Sequence, residues 1–85
     1  MPIILIYTST IYPYCLMAKR LLDKKGAKYQ ELNVDKDPEL RQEMMQRTQR
    51  RTVPQIYIDD LHVGGFDELR AMETRKELDP LLAAS

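Results

Sequence analysis

Residues Ile3-Ile4-Leu5-Ile6-Tyr7-Thr8-Ser9-Thr10-Ile11-Tyr12-Pro13-Tyr14-Cys15 lead from an apolar run, through a short loop, into the start of an amphipathic stretch. The run at 3–7 is short, apolar and rich in β-branched side chains, which predicts a buried strand. Thr8 to Ile11 form the loop. Pro13 suits a first helical turn, where its missing N–H leaves no hydrogen bond unmade and its fixed φ is already helical. The spacing then predicts a helix to about Lys25, with Tyr14, Ala18, Leu21 and Leu22 on one face and Lys19 and Asp23 on another. Gly26 marks its stop.

Tyr29 to Val34 alternate in polarity and predict a second strand. Asp37-Pro38-Glu39 opens a second helix, with Asp37 as N-cap acceptor and Pro38 in the first turn. Leu40, Met44 and Met45 are its inner stripe. Gln55 to Asp59 alternate around Ile56 and Ile58 as a third strand, and Asp59-Asp60 turns the chain into Leu61-His62-Val63, a hairpin. After Gly64-Gly65 a third helix turns Phe66, Leu69 and Met72 inward, and Asp79-Pro80-Leu81-Leu82 reads as a short closing helical turn. The order β-α-β-α-β-β-α implies an α/β fold with a four-stranded mixed sheet. Its first two strands are joined by a parallel crossover, its last two are antiparallel, and helices cover both faces. With no repeat, linker or low-complexity segment, residues 1–85 read as one domain.

Composition excludes several classes of function. Basic and acidic side chains balance at 13 each, so no net field draws the chain to nucleic acid or to an anionic membrane. Arg47, Arg50 and Arg51 are the densest positive cluster, but no aromatics interleave them, and they read as a solvated helix end. The run Ile3 to Ile6 is too short for a signal peptide or a membrane span and lacks a basic flank, so the expected location is cytoplasmic. The one cysteine rules out an internal disulfide and suits a reducing compartment. With one histidine beside it, no structural zinc site is expected. His62 reads as a plain surface residue and the methionines as core filler. No exposed apolar stripe stands out, so a monomer is expected.

Tyr12-Pro13-Tyr14-Cys15 has the outline of a Cys-x-x-Cys redox loop in which a phenol replaces the first sulfur. In such loops the leading cysteine does the chemistry, because free N–H groups and the helix dipole at the helix start stabilise a thiolate. A phenol cannot exchange disulfides. The loop falls at the carboxyl end of the first strand, where open α/β sheets bind ligands. Thr52-Val53-Pro54 immediately precedes the third strand, and Gly64-Gly65-Phe66-Asp67 opens the third helix with backbone N–H groups that could hold a small carboxylate. In this order and spacing the three segments point to one cleft.

These residues resemble the glutaredoxins, especially the small bacterial dithiol type with a Cys-Pro-Tyr-Cys site. The likeness spans nearly the whole chain. It rests on Tyr7-Thr8, Pro13-Tyr14-Cys15, Ala18-Lys19, Thr52-Val53-Pro54-Gln55-Ile56, Gly64-Gly65, Asp67-Glu68-Leu69 and Leu78-Asp79-Pro80-Leu81-Leu82. The resemblance implies a thioredoxin-like fold and a glutathione-dependent thiol-disulfide oxidoreductase. Glutathione would be co-substrate or ligand, no cofactor would be bound, and glutathionylated or disulfide-containing proteins would be partners. Carried over by position, Val53 pairs its backbone with the cysteinyl part of glutathione and Pro54 is the family's cis proline. Gly65, Phe66 and Asp67 receive the γ-glutamyl end, and Tyr14 walls the cleft. Thr52 belongs to the same site, and a cation among Arg47, Arg50 and Arg51, with Arg51 favoured, meets the glycyl carboxylate.

The chain departs from the family at telling positions. Tyr12 occupies the place of the nucleophilic cysteine, and Ser9 stands where relatives often carry a lysine. Phe66 fills a variable site, and iron–sulfur binding loses support because it relies on the same leading cysteine. The expectation is therefore a retained glutathione cleft with little or no ordinary turnover. The Tyr12 ring should fill the sulfur's place, and Cys15 should remain as a half-buried hydrophobe. Three alternatives stay open: one-thiol catalysis through Cys15, a non-catalytic glutathione- or peptide-binding module, and an engineered inactive variant of an active enzyme.

Overall fold

The structure, a computed structural model, describes residues 2–83. The elements are β1 (Ile4–Thr8), α1 (Pro13–Lys24), β2 (Gln30–Asn33), α2 (Pro38–Thr48), β3 (Gln55–Ile58), β4 (Leu61–Gly64), α3 (Phe66–Thr74) and α4 (Leu78–Ala83). The strands form one sheet in the order β2-β1-β3-β4. β2 lies parallel to β1, with Thr8 opposite Asn33, while β3 runs antiparallel to β1, with Ile6 opposite Ile56. β4 completes the hairpin with β3. This is the predicted arrangement with one addition: the closing turn is a fourth helix. Leu78 at its start is fully buried, and Lys25 reaches both Glu73 (2.6 Å) and Asp79 (2.9 Å), fastening α3 and α4 to the end of α1.

The twofold alternation of a strand explains the two layers. Ile4 and Ile6 of β1 join Ile56 and Ile58 of β3 on one face, under Ala18 and Leu22 of α1, Leu69 of α3 and Leu78 of α4. Tyr7 points the other way and packs with Val34, Tyr57 and Met44 of α2. Every residue of β3 is buried, as a central strand covered on both faces should be. In α2, Asp37 accepts the Glu39 N–H at 2.9 Å, as an N-cap should, and Gln49 ends the helix in a left-handed turn with φ 59°.

Two expectations are corrected here. Tyr14 is not on the inner face of α1; Cys15, Ala18 and Leu22 are, and Tyr14 lies one position off that stripe and is exposed. His62 is not a plain surface residue. It sits opposite Tyr57 in the hairpin, stacks on that ring at 4.8 Å, and places Nε2 2.8 Å from Gln55 Oε1. Burial, and then the Arg50 charge, lower its pKa.

A polar tie at the end of β1 gives a pH-dependent prediction. The buried Thr8 hydroxyl donates to Glu31 Oε2 at 2.6 Å, and Lys19 Nζ stands 3.1 Å from the same oxygen. The Thr8 hydrogen bond first, and Lys19 after it, outweigh desolvation and lower the Glu31 pKa. A carboxyl whose folded pKa lies below its unfolded one stabilises above the ordinary carboxylate range, and that contribution fades as pH falls through the folded value. Thr8→Val should therefore cost about 1 kcal/mol at pH 7, discounted for partial exposure. In urea unfolding at descending pH, the gap between the two proteins should close below about pH 4. A gap that stays constant into acid would refute the linkage.

Candidate functional site

Tyr12 is the N-cap of α1, with extended φ and ψ of −134° and 118°. Its backbone oxygen accepts the N–H of Cys15 (3.0 Å) and Leu16 (3.2 Å), whereas its phenol makes no capping bond. The loop before it is fixed by Asp35. That carboxylate accepts from the Ser9 hydroxyl and from the Thr10 N–H (2.9 Å), and pairs with Arg41 at 3.0 Å. Those contacts, the Ser9 hydroxyl foremost, hold Asp35 below the usual carboxylate range. Asn33 adds a bond from its side-chain amide to the Thr10 hydroxyl at 3.2 Å. The start of α1 is thus pinned to the β2–α2 connection by side chains that seat the loop.

A cleft of about 320 Å³ opens beside this helix start. Tyr12, Tyr14, Arg50, Thr52, Val53, Pro54, Gly65, Phe66, Asp67 and Glu68 line it. Three loops distant in sequence meet there because β1 and β3 are neighbours in the sheet and α3 leaves β4 at the same end. The Val53–Pro54 bond is cis. A Cβ placed on Gly65 would stand in ordinary van der Waals contact with the Pro54 carbonyl oxygen, at 3.4 Å, so the two backbones lie close together. The aromatic wall is continuous: Tyr14 meets Tyr12 edge-on at 5.7 Å and Phe66 at 6.3 Å.

Of the residues singled out from sequence, Tyr12, Tyr14, Thr52, Val53, Pro54, Gly65, Phe66 and Asp67 come together in this cleft. Cys15 and Arg51 are not among its lining. Cys15 is 1% exposed, not half-buried, because it heads the inner stripe of α1 rather than the cleft face. Burial raises its thiol pKa, although the Ser9 backbone N–H and Lys19 pull the other way. Tyr12 lines the mouth of the cleft and is 39% exposed.

The three arginines divide by surroundings. Arg47 lies over the Tyr57 ring, 3.9 Å from its centre. Arg51 faces a neighbouring concavity with Gln42, Met45 and Gln46 of α2, which Arg50 also lines. Arg50 alone of the three reaches the cleft, where it pairs with Glu68. Glu68 stands in the quoted likeness but not among the candidate site residues. The available signal was its place three residues after Gly65, where an acidic side chain can fold back on the helix start.

Comparison with known proteins bears on this geometry. A profile of the family "Glutaredoxin" matches residues 4–63. A glutaredoxin of Pseudomonas aeruginosa is 49% identical over 84 residues, covering 99% of this chain and 100% of the relative. The solution structure of a glutaredoxin from Brucella melitensis superposes with TM-score 0.85 at 49% identity, covering 96% of this chain and 89% of that one. A buckwheat glutaredoxin–glutathione complex superposes with TM-score 0.88 at 30% identity, covering 95% and 76% of the two chains. Identity at this level over nearly the full length, on the same thioredoxin-like sheet, extends well beyond a shared fold: the chain belongs to the glutaredoxin family and is built on its thiol-disulfide oxidoreductase scaffold.

Proposed function

We propose that residues 1–85 act as one glutaredoxin-like domain that binds glutathione in the cleft between Tyr12 and Asp67 but does not turn it over by the family's route. The observation that carries this is the state of the chain's only sulfur nucleophile: Cys15 is buried away from the cleft, and Tyr12 stands at the helix start. Thiol-disulfide exchange needs a thiolate in line with the disulfide it attacks, and a phenol offers none. Losing a nucleophile removes the covalent step itself. The buried thiol, with its raised pKa, also speaks against one-thiol catalysis through Cys15.

Binding rests on different groups, all of them present. The Val53 backbone beside Pro54 suits the cysteinyl residue of the tripeptide. The N–H groups opening α3 at Gly65, Phe66 and Asp67 suit the γ-glutamyl carboxylate, with Tyr14 and Thr52 as walls. Arg50 rather than Arg51 is the cation within reach of a carboxylate in this cleft. The buckwheat relative solved with glutathione supports the same ligand, and glutathionylated proteins would be recognised through that tripeptide.

Titration with reduced glutathione, followed by amide chemical shifts and paired with a mixed-disulfide reduction assay, tests both halves. Saturable shifts at Val53, Gly65, Phe66 and Asp67 with no turnover above background are expected. Turnover at rates normal for dithiol glutaredoxins would overturn the catalytic half, and absence of shifts at those residues would overturn the binding half.

A further inference from the structure

We infer that Glu68 is an internal carboxylate seated where the cleft receives an anion, and that a ligand carboxylate must displace it. This rests on the glutathione-binding reading above and names a residue that sets its affinity.

The Glu68 seat is built from two directions. Arg50 Nη1 pairs with Glu68 Oε1 from the α2–β3 connection, both residues lining the cleft. Gly64, at φ 109°, leaves the space into which the side chain folds: a Cβ there would fall 2.9 Å from Glu68 Cδ and closer still to Oε1. The Arg50 hydrogen bond foremost, and after it the backbone of Glu68 and Gly65, lower the Glu68 pKa against desolvation. A cation at the opening of a helix and a vacancy left by glycine are what an anion site requires. Here the protein's own side chain occupies it.

An incoming γ-glutamyl carboxylate directed at Gly65–Asp67 arrives beside an Arg50 already paired with Glu68. Its binding therefore includes breaking the Arg50–Glu68 pair and leaves two carboxylates near one guanidinium. The pair is partly exposed, 47% and 40% for the two side chains, so the penalty is modest. Gln at position 68 keeps the size, the reach to Gly65 and the helix-start role while removing the competing charge.

The test is calorimetric titration of the full chain, Glu68→Gln, Arg50→Gln and the double variant with reduced glutathione. The same series uses 4-aminobutyryl-cysteinylglycine, which lacks the γ-glutamyl α-carboxylate. Glu68→Gln should bind glutathione about twofold to fivefold more tightly. That gain should vanish with the decarboxylated analogue and in the Arg50→Gln background. Unchanged or weaker glutathione binding by Glu68→Gln overturns the inference while leaving the cleft assignment standing. An equal gain with the analogue also overturns it, since general charge removal would then explain the change. Failure of every variant to bind glutathione overturns both the inference and the reading beneath it. Amide spectra of Glu68→Gln and Arg50→Gln confirm that each retains the fold, and Glu68→Gln with the two ligands scores the prediction by itself.

Discussion

Tyr12→Cys should raise glutathione-dependent reduction of a glutathionyl mixed disulfide by about a thousandfold or more over the unmodified chain. The expectation follows from where position 12 lies. It caps α1, its carbonyl already turned into the helix to accept the Cys15 and Leu16 N–H groups, and its side chain opens on the cleft. A sulfur on that Cβ would stand beside the first-turn N–H groups and the positive end of the helix dipole, which favour the thiolate. The thiolate would attack the glutathione sulfur of the mixed disulfide, and the S–S bond would break. The freed protein thiolate would take a proton, and a second glutathione would then resolve the enzyme-bound disulfide. Nothing else in the cleft need change, because the loop is already pinned through Asp35. Tyr12→Ser is the control: it clears the ring without supplying a nucleophile and should stay at background. If Tyr12→Cys is no faster than Tyr12→Ser, the missing sulfur is not what limits this protein.

The sheet and its covering helices were legible because periodicity reports burial directly. Ile4 and Ile6 alternate with Leu5 and Tyr7, and the two sets do face opposite layers. The cleft was legible through punctuation: a proline before β3, two glycines before α3 and a proline inside the first turn of α1 are backbone signals that survive changes of side chain. What stayed hidden depends on direction rather than pattern. Tyr14 and Cys15 are adjacent, so a shift of one position in the helical stripe exchanges which is exposed and which is buried. Arg50 and Arg51 are equally basic, and only the path of the chain after α2 brings Arg50 to the cleft as well as to the concavity that both line. Glu68 was not read as a site residue because an acidic residue in a first turn is ordinary; its meaning comes from Arg50, 18 residues away in sequence. The tie from Ser9 to Asp35 was hidden for the same reason, since it spans 26 residues.

The same distinction between pattern and placement gives the largest stability effect. Leu16 and Leu22 share one helix and one side chain, yet Leu16 is 43% exposed and Leu22 is fully buried among Ile4, Ile6, Leu69 and Leu78. Truncating Leu22 removes buried methyl groups and leaves a void between α1, the sheet and α4 that rigid β-branched neighbours fill poorly. Leu22→Ala should therefore lose about 2–5 kcal/mol. For a domain of this size that lowers Tm by about 10 to 25 °C. Leu16→Ala, open to solvent, should change stability by about 0.5 kcal/mol or less. Urea unfolding followed by circular dichroism decides between them, with similar m values showing that the unfolded states are comparable. A small protein has limited reserve, so Leu22→Ala should sit near the edge of folding at 37 °C. Similar losses for the two variants would mean that α1 packs on the sheet through a different stripe. Tyr12 and Tyr14 would then no longer be held at the mouth of the cleft, and the site would have to be rebuilt from another orientation of that helix.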